Sequence, residues 1–213
     1  MTGSYWGYDP GGNDAHGLAQ LDVLDGRSIK TACFTAGTVG EAIETILSQP
    51  KPLGLGIDTL TAWSLGSAGW RLADHRLREE YLTIQNSVIS PNALFGSMAI
   101  SGMALLLAVR EKWPELTISE THPKVVYFAL TQRKYQDDDR SIRTKQLMRL
   151  PEFKGTDFGN PQTDDEWDAV LGAHCVRMGV ERRWTLDLHE TAGSLHVIHP
   201  AGPTSYFWPK RIP

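Results

Sequence analysis

The stretch Leu53-Gly54-Leu55-Gly56-Ile57-Asp58 decides the fold. Leucines and isoleucine keep one parity while glycines and the aspartate keep the other, which predicts a central strand with one apolar face and one face close to another backbone. The aspartate ends that strand. Immediately before it, Pro50-Lys51-Pro52 stops a short helix predicted over Gly40 to Leu47, for which Thr38 is the N-cap.

Upstream, Tyr5 to Tyr8 reads as a strand, Pro10-Gly11-Gly12-Asn13 as a turn and His16 to Val23 as a second strand, so the chain opens with a hairpin. Asp25-Gly26 marks the next turn, and Ile29 to Thr35 is a third strand. Downstream, a polar loop from Thr59 to Gly69 leads to an Arg-rich helix around Trp70 to Leu82. Ser90-Pro91 is expected to cap an apolar helix ending near Trp113, followed by a fifth strand over Leu116 to Ser119 that Glu120 ends. Thr131 to Gln162 is polar and charged, and reads as a long surface connection with at most one short helix. Thr163-Asp164-Asp165-Glu166 forms a capping box that starts a helix reaching about Met178, with Trp167, Val170, Leu171, His174 and Met178 along one stripe. Trp184 to Phe207 looks like one or two strands on the sheet edge. Three hairpin-linked strands followed by two separated by helices predict an α/β fold with a mixed sheet.

At 213 residues the chain is long enough for a single domain with a sizeable core, and no stretch resembles a linker. Its N-terminus, Met1 to Tyr5, has neither a basic region nor a long apolar run, which argues against a signal peptide and for a cytoplasmic protein. Ala93 to Val109 lacks charge but is too short and too interrupted to span a membrane. Cys33 and Cys175 sit in no metal or redox motif and read as inert core thiols. A net charge of −4 argues against a protein that coats long duplex DNA, because that affinity comes from Lys and Arg on phosphates. Local contact is still open to two basic tracts. One holds Arg71, Arg76 and Arg78, and the other Arg133, Lys134, Arg140, Arg143, Lys145 and Arg149, although Asp137-Asp138-Asp139 lies inside the second and either could be a solvated face.

Three acidic sites in strand-like surroundings, Gly7-Tyr8-Asp9-Pro10-Gly11-Gly12, Gly56-Ile57-Asp58-Thr59 and Ser119-Glu120-Thr121, precede Asp165-Glu166-Trp167-Asp168 at the start of the late helix. Carboxylates ~4 Å apart repel by roughly 4 kcal/mol per pair at an effective dielectric near 20, so a fold that gathers several of them normally holds a cation. Mg²⁺ or Mn²⁺ is expected, since the donors are hard oxygens and no Cys/His cluster has zinc spacing. Each acid also has a plainer reading. Asp9 before Pro-Gly suits a turn, Asp58 a loop cap, Glu120 a pairing with an arginine, and Asp165 the positive end of a helix. His122 could orient a ligand or be a hydrogen-bonded structural residue, and His174 on the apolar stripe reads as a core histidine.

Gly7-Tyr8-Asp9-Pro10-Gly11 resembles the first-strand motif of the RuvC branch of the ribonuclease H-like superfamily, and Asp165-Glu166-Trp167-Asp168-Ala169 resembles that branch's last motif. Gly56-Ile57-Asp58 and Glu120-Thr121-His122-Pro123 resemble the middle motifs of an uncharacterised family of predicted ribonuclease H-like nucleases, which is the closer match. The likeness runs from about Tyr5 to Met178. It departs from resolvases in lacking their basic character and in having Asp58 where they usually carry glutamate. The resemblance implies a ribonuclease H-like five-stranded mixed sheet with helices on both faces and a C-terminal β addition, over residues 1–213. It implies metal-dependent phosphodiester hydrolysis in which Asp9 bridges two ions, Asp58 and Glu120 bind one each, and Asp168 completes the set with Asp165 one turn earlier. Arg71, Arg76, Arg78 and His122 would hold substrate, a short single-stranded or structured nucleic acid, with no membrane partner and homodimerisation left open. A non-catalytic binding module of the same fold is the alternative. An actin- or sugar-kinase-like nucleotide binder ranks lower, because those proteins need two such domains.

Overall fold

The parity of the central strand is realised in three dimensions as two differently packed faces. A computed structural model describes residues 1–12, 15–89, 96–191 and 197–210. Strands β1 (Gly3–Asp9), β2 (His16–Leu24) and β3 (Arg27–Ala36) form an antiparallel meander. Helix α1 (Val39–Leu47) then returns the chain to β4 (Gly54–Ile57), which lies parallel to β1. The two-residue β5 (Trp63–Ser64), α2 (Leu72–Glu80) and α3 (Gly96–Lys112) precede β6 (Ile118–Glu120), parallel to β4. The sheet order is β3-β2-β1-β4-β6, a mixed five-stranded α/β arrangement consistent with the ribonuclease H-like expectation.

Helices cover both faces. Trp6, Tyr8, Leu55 and Ile57 pack with Ala42 and Ile46 of α1 and Leu105, Leu106 and Val109 of α3. On the other face lies α6 (Asp164–Val180), whose Ala173 and Val176 pack with Tyr5 and Leu21. Glycine sets how near α6 comes. A methyl group built on Gly7 would sit 1.7 Å from the Ala169 carbonyl oxygen, and one on Gly56 would sit 2.0 Å from that of Gly172. Any side chain at either position would lift the helix from the sheet.

Thr38 caps α1 by accepting from the Glu41 backbone N–H, and Thr163 caps α6 by accepting from that of Glu166. The reciprocal half of the second box differs from the expectation, because Glu166 reaches past its N-cap to take the Gln162 N–H and the Thr35 hydroxyl. That carboxylate therefore ties α6 to β3. The expected Asn13 turn residue, the Ser90-Pro91 cap and the start of the charge-free stretch at Ala93 lie outside the described residues, as do residues 192–196 of the C-terminal segment.

The segment after β6 corrects the sequence reading. Helix α4 (Pro123–Thr131) was not foreseen, although Pro123 occupies the first helical turn, where its missing N–H costs nothing. Residues 131–162 hold one short α-helix, within the expectation, but they are not merely a surface connection. They form α5 (Arg140–Met148) between two 3₁₀ turns, Tyr135–Asp137 and Pro151–Phe153. Tyr135, Leu147, Phe153 and Phe158 enter the core beside Trp167. The apolar payload is sparse and aperiodic, so a charged tract concealed it. Short pieces complete the chain: β7 (Leu186–Asp187) with α7 (Leu188–Thr191), β8 (Val197–Ile198) paired to β5, and β9 (Phe207–Trp208) paired to β7. Ser205 bonds along β6 through the Glu120 N–H and the Ile118 carbonyl, placing the C-terminal addition on the sheet edge as expected.

Candidate metal centre

Register brings the first two acids together. Tyr8 pairs with Ile57, and the Asp58 N–H donates to the Tyr8 carbonyl at 2.9 Å, so Asp9 and Asp58 leave adjacent strand ends on the α6 face. The close approach of α6 over Gly7 and Gly56 brings in Asp168 from above. Asp9, Asp58 and Asp168 each present a carboxylate oxygen, all within 4.8 Å of one another. Asp9 and Asp168 are buried and Asp58 is half-buried.

Burial first, and then the Asp58, Asp168 and Asp165 charges, push the Asp9 carboxyl well above the usual range. Asp58 is raised in the same way by burial and by Asp168. Burial lifts Asp168 to about 7, against the opposing pull of a Tyr135 hydroxyl that donates to its Oδ1 at 2.7 Å. Asp165, half-buried one turn earlier, is raised by burial and Asp164. Asp9 Oδ1 is buried with no hydrogen-bond partner. A buried carboxylate oxygen left bare among other carboxylates suits a hard cation, which would satisfy it and cancel the repulsion.

Glu120 is not among the three. It pairs with Ile57 in the ladder, one residue off the Asp58 register, so its side chain leaves the sheet on the opposite face. There Arg71 takes both its oxygens at 2.8 and 2.6 Å, and Thr61 donates from its backbone and hydroxyl. Burial would raise this carboxyl, but the Arg71 guanidinium overrides it and holds it well below the carboxylate range. His189 Nε2 stands 3.6 Å from the same carboxylate. The arginine pairing that the sequence left open is what the fold makes, and Thr121 stands in line with Asp58 instead.

Two of the three expected substrate arginines are committed elsewhere. Arg71 is buried and bonded to Asp74 as well as Glu120, so it is not available to a phosphate. Arg78 donates to the Gln85 and Val88 carbonyls and stacks on Trp70, where it fastens the 3₁₀ turn after α2. Arg76 is exposed on α2. His122 bonds the Ser87 carbonyl at 2.9 Å, and burial lowers its pKa, a structural arrangement at the margin of the site. His174 is a core histidine against Phe153 and Phe158, as its stripe suggested. In the second basic tract, Arg133 pairs with Asp138, and Arg140 and Arg143 with Asp164. Cys33 and Cys175 are both free, and burial raises both thiols, Cys33 to about 11.

Two functional candidates escaped the sequence reading. Lys124, exposed on the first turn of α4, carries a positive charge that lowers Asp9, Asp58, Asp165 and Asp168 alike. Tyr135 orients Asp168, and its ring is covered by the Arg143 guanidinium at 3.4 Å. A lysine just after the Glu120-Thr121-His122-Pro123 motif was a usable signal. For Tyr135 there was none beyond an aromatic in a polar tract. No protein-family model matches the chain, and no curated protein matches it.

Proposed function

We propose that the protein is a divalent-metal-dependent phosphodiesterase acting on nucleic acid. The observation that carries this reading is the meeting of Asp9, Asp58 and Asp168 within 4.8 Å, from two strand ends and a helix far apart in sequence. The three carboxylates would hold Mg²⁺ or Mn²⁺, with Asp165 beside Asp9. A bound cation supplies polarisation of a phosphoryl oxygen and an acidified water. Tyr135 fixes the orientation of Asp168, and Lys124 offers the rim an ammonium that complements a phosphodiester's charge. A cytoplasmic location belongs to the same reading, and no helix among the described residues is long and apolar enough to cross a membrane.

The withdrawal of Glu120 favours one competitor, a module of the same fold that binds nucleic acid without cutting it, because it leaves one acid fewer for two ions. Calorimetric titration with Mn²⁺, followed by incubation with labelled single-stranded and hairpin oligonucleotides, separates the two. The phosphodiesterase requires Mn²⁺ binding and cleavage, both lost in Asp9→Asn. Binding without cleavage selects the module, and Mn²⁺ binding that is absent, or unchanged in Asp9→Asn, removes the metal reading.

A further inference from the structure

Beside the carboxylates the described residues line a cavity of about 290 Å³ that includes Asp58 and Lys124 together with the apolar Leu60, Val88, Ile89 and Met98, of which Leu60 and Val88 are buried and Ile89 is exposed. We infer that this cavity receives one unpaired nucleobase of the strand whose phosphodiester lies at the carboxylates, which makes single-stranded nucleic acid the substrate class. The inference rests on the phosphodiesterase reading for the position of the phosphate.

Four observations converge on a base. The cavity shares Asp58 with the acidic centre, so a ligand engaging both must carry a phosphate and a neighbouring group a few ångströms away. Its volume is near the lower end of small-ligand pockets, roughly 300 Å³, enough for one heterocycle and not for a base pair. The aliphatic walls suit the two faces of a planar ring, which flipped-base sites hold between apolar side chains. A second phosphate is disfavoured inside, because the buried cation of the lining, Arg71, is already neutralised by Asp74 and Glu120. A paired base is locked in its stack and would have to be extruded at a cost of a few kcal/mol, whereas a single strand presents its bases freely.

The test uses the full chain in EDTA, where no cleavage occurs. A fluorescein-labelled tetramer of thymidine nucleotides is compared by anisotropy with a tetramer of the same charge in which every residue is an abasic tetrahydrofuran. The base-bearing tetramer should bind at least about tenfold more tightly, and Met98→Trp, which fills the cavity, should reduce it to the abasic value. Equal binding of the two tetramers by the wild-type protein overturns the inference without any variant. Should Met98→Trp melt early, Ile89→Trp on the exposed rim replaces it, and full retention of base-dependent binding in a folded filled variant is equally fatal. Mn²⁺ titration without oligonucleotide reads the carboxylates separately. Base-dependent binding with no Mn²⁺ heat supports the cavity while removing the metal reading, and Mn²⁺ heat with equal tetramer binding does the reverse.

Discussion

Neutralising one acid of the centre should stabilise the metal-free protein and abolish its response to metal. At 4.8 Å and an effective dielectric near 20, each pair of charges in the cluster repels by about 3.5 kcal/mol. Burial of the charge adds its own penalty: the rise of Asp168 from 3.8 to about 7, caused chiefly by burial, corresponds to about 4 kcal/mol. Because the folded pKa exceeds the unfolded one, the penalty is complete above about pH 7 and fades as pH falls towards 3.8. Asp168→Asn removes the charge yet retains an acceptor for the Tyr135 hydroxyl. In urea unfolding at pH 8 with EDTA, the variant should therefore exceed wild type by about 2–4 kcal/mol, and the difference should vanish near pH 4. Mn²⁺ at a hundred times its Kd should stabilise wild type by about 2.7 kcal/mol and leave the variant unmoved. A variant that is no more stable than wild type at pH 8, or that keeps the Mn²⁺ response, refutes the reasoning.

Gly56→Ala places a methyl 2.0 Å from the Gly172 carbonyl oxygen, so it should cost about 3 kcal/mol or more in chemical denaturation and weaken Mn²⁺ binding by displacing α6. Arg71→Met strands the buried Glu120 carboxylate and should lose about 3–5 kcal/mol by the same assay, whereas loss of nucleic-acid affinity with stability intact would restore the arginine to a substrate role. Burial depresses His174 to about 3, so its neutral form is favoured in the fold. Its stabilising effect is complete above pH 6.5 and drains away as pH falls, and wild type should lose about 1.4 kcal/mol per pH unit relative to His174→Leu between pH 6.5 and 3. A pH-independent difference between the two proteins would place that histidine in water.

Where chemistry and periodicity agreed, the amino-acid order was sufficient. Leucine and glycine parity in Leu53 to Asp58 specified a strand with one face for side chains and one for a backbone. Thr38 and Thr163 announced their helices, and Asp9, Asp58, Glu120, Asp165 and Asp168 could be named together because each closes an apolar strand or lies in the first turns of a capped helix. Those are properties of neighbours in the chain. Pairing across strands is not. The register that sets Glu120 opposite Ile57, and so turns it from the cluster of Asp9, Asp58 and Asp168 towards Arg71, is decided only when β4 and β6 align. Likewise, no periodicity tells Tyr135 that its hydroxyl will meet Asp168, 33 residues away. Sequence determined which side chains were able to bind a cation, and the tertiary structure decided which of them meet, because a one-residue step in a sheet sends a side chain to the opposite face.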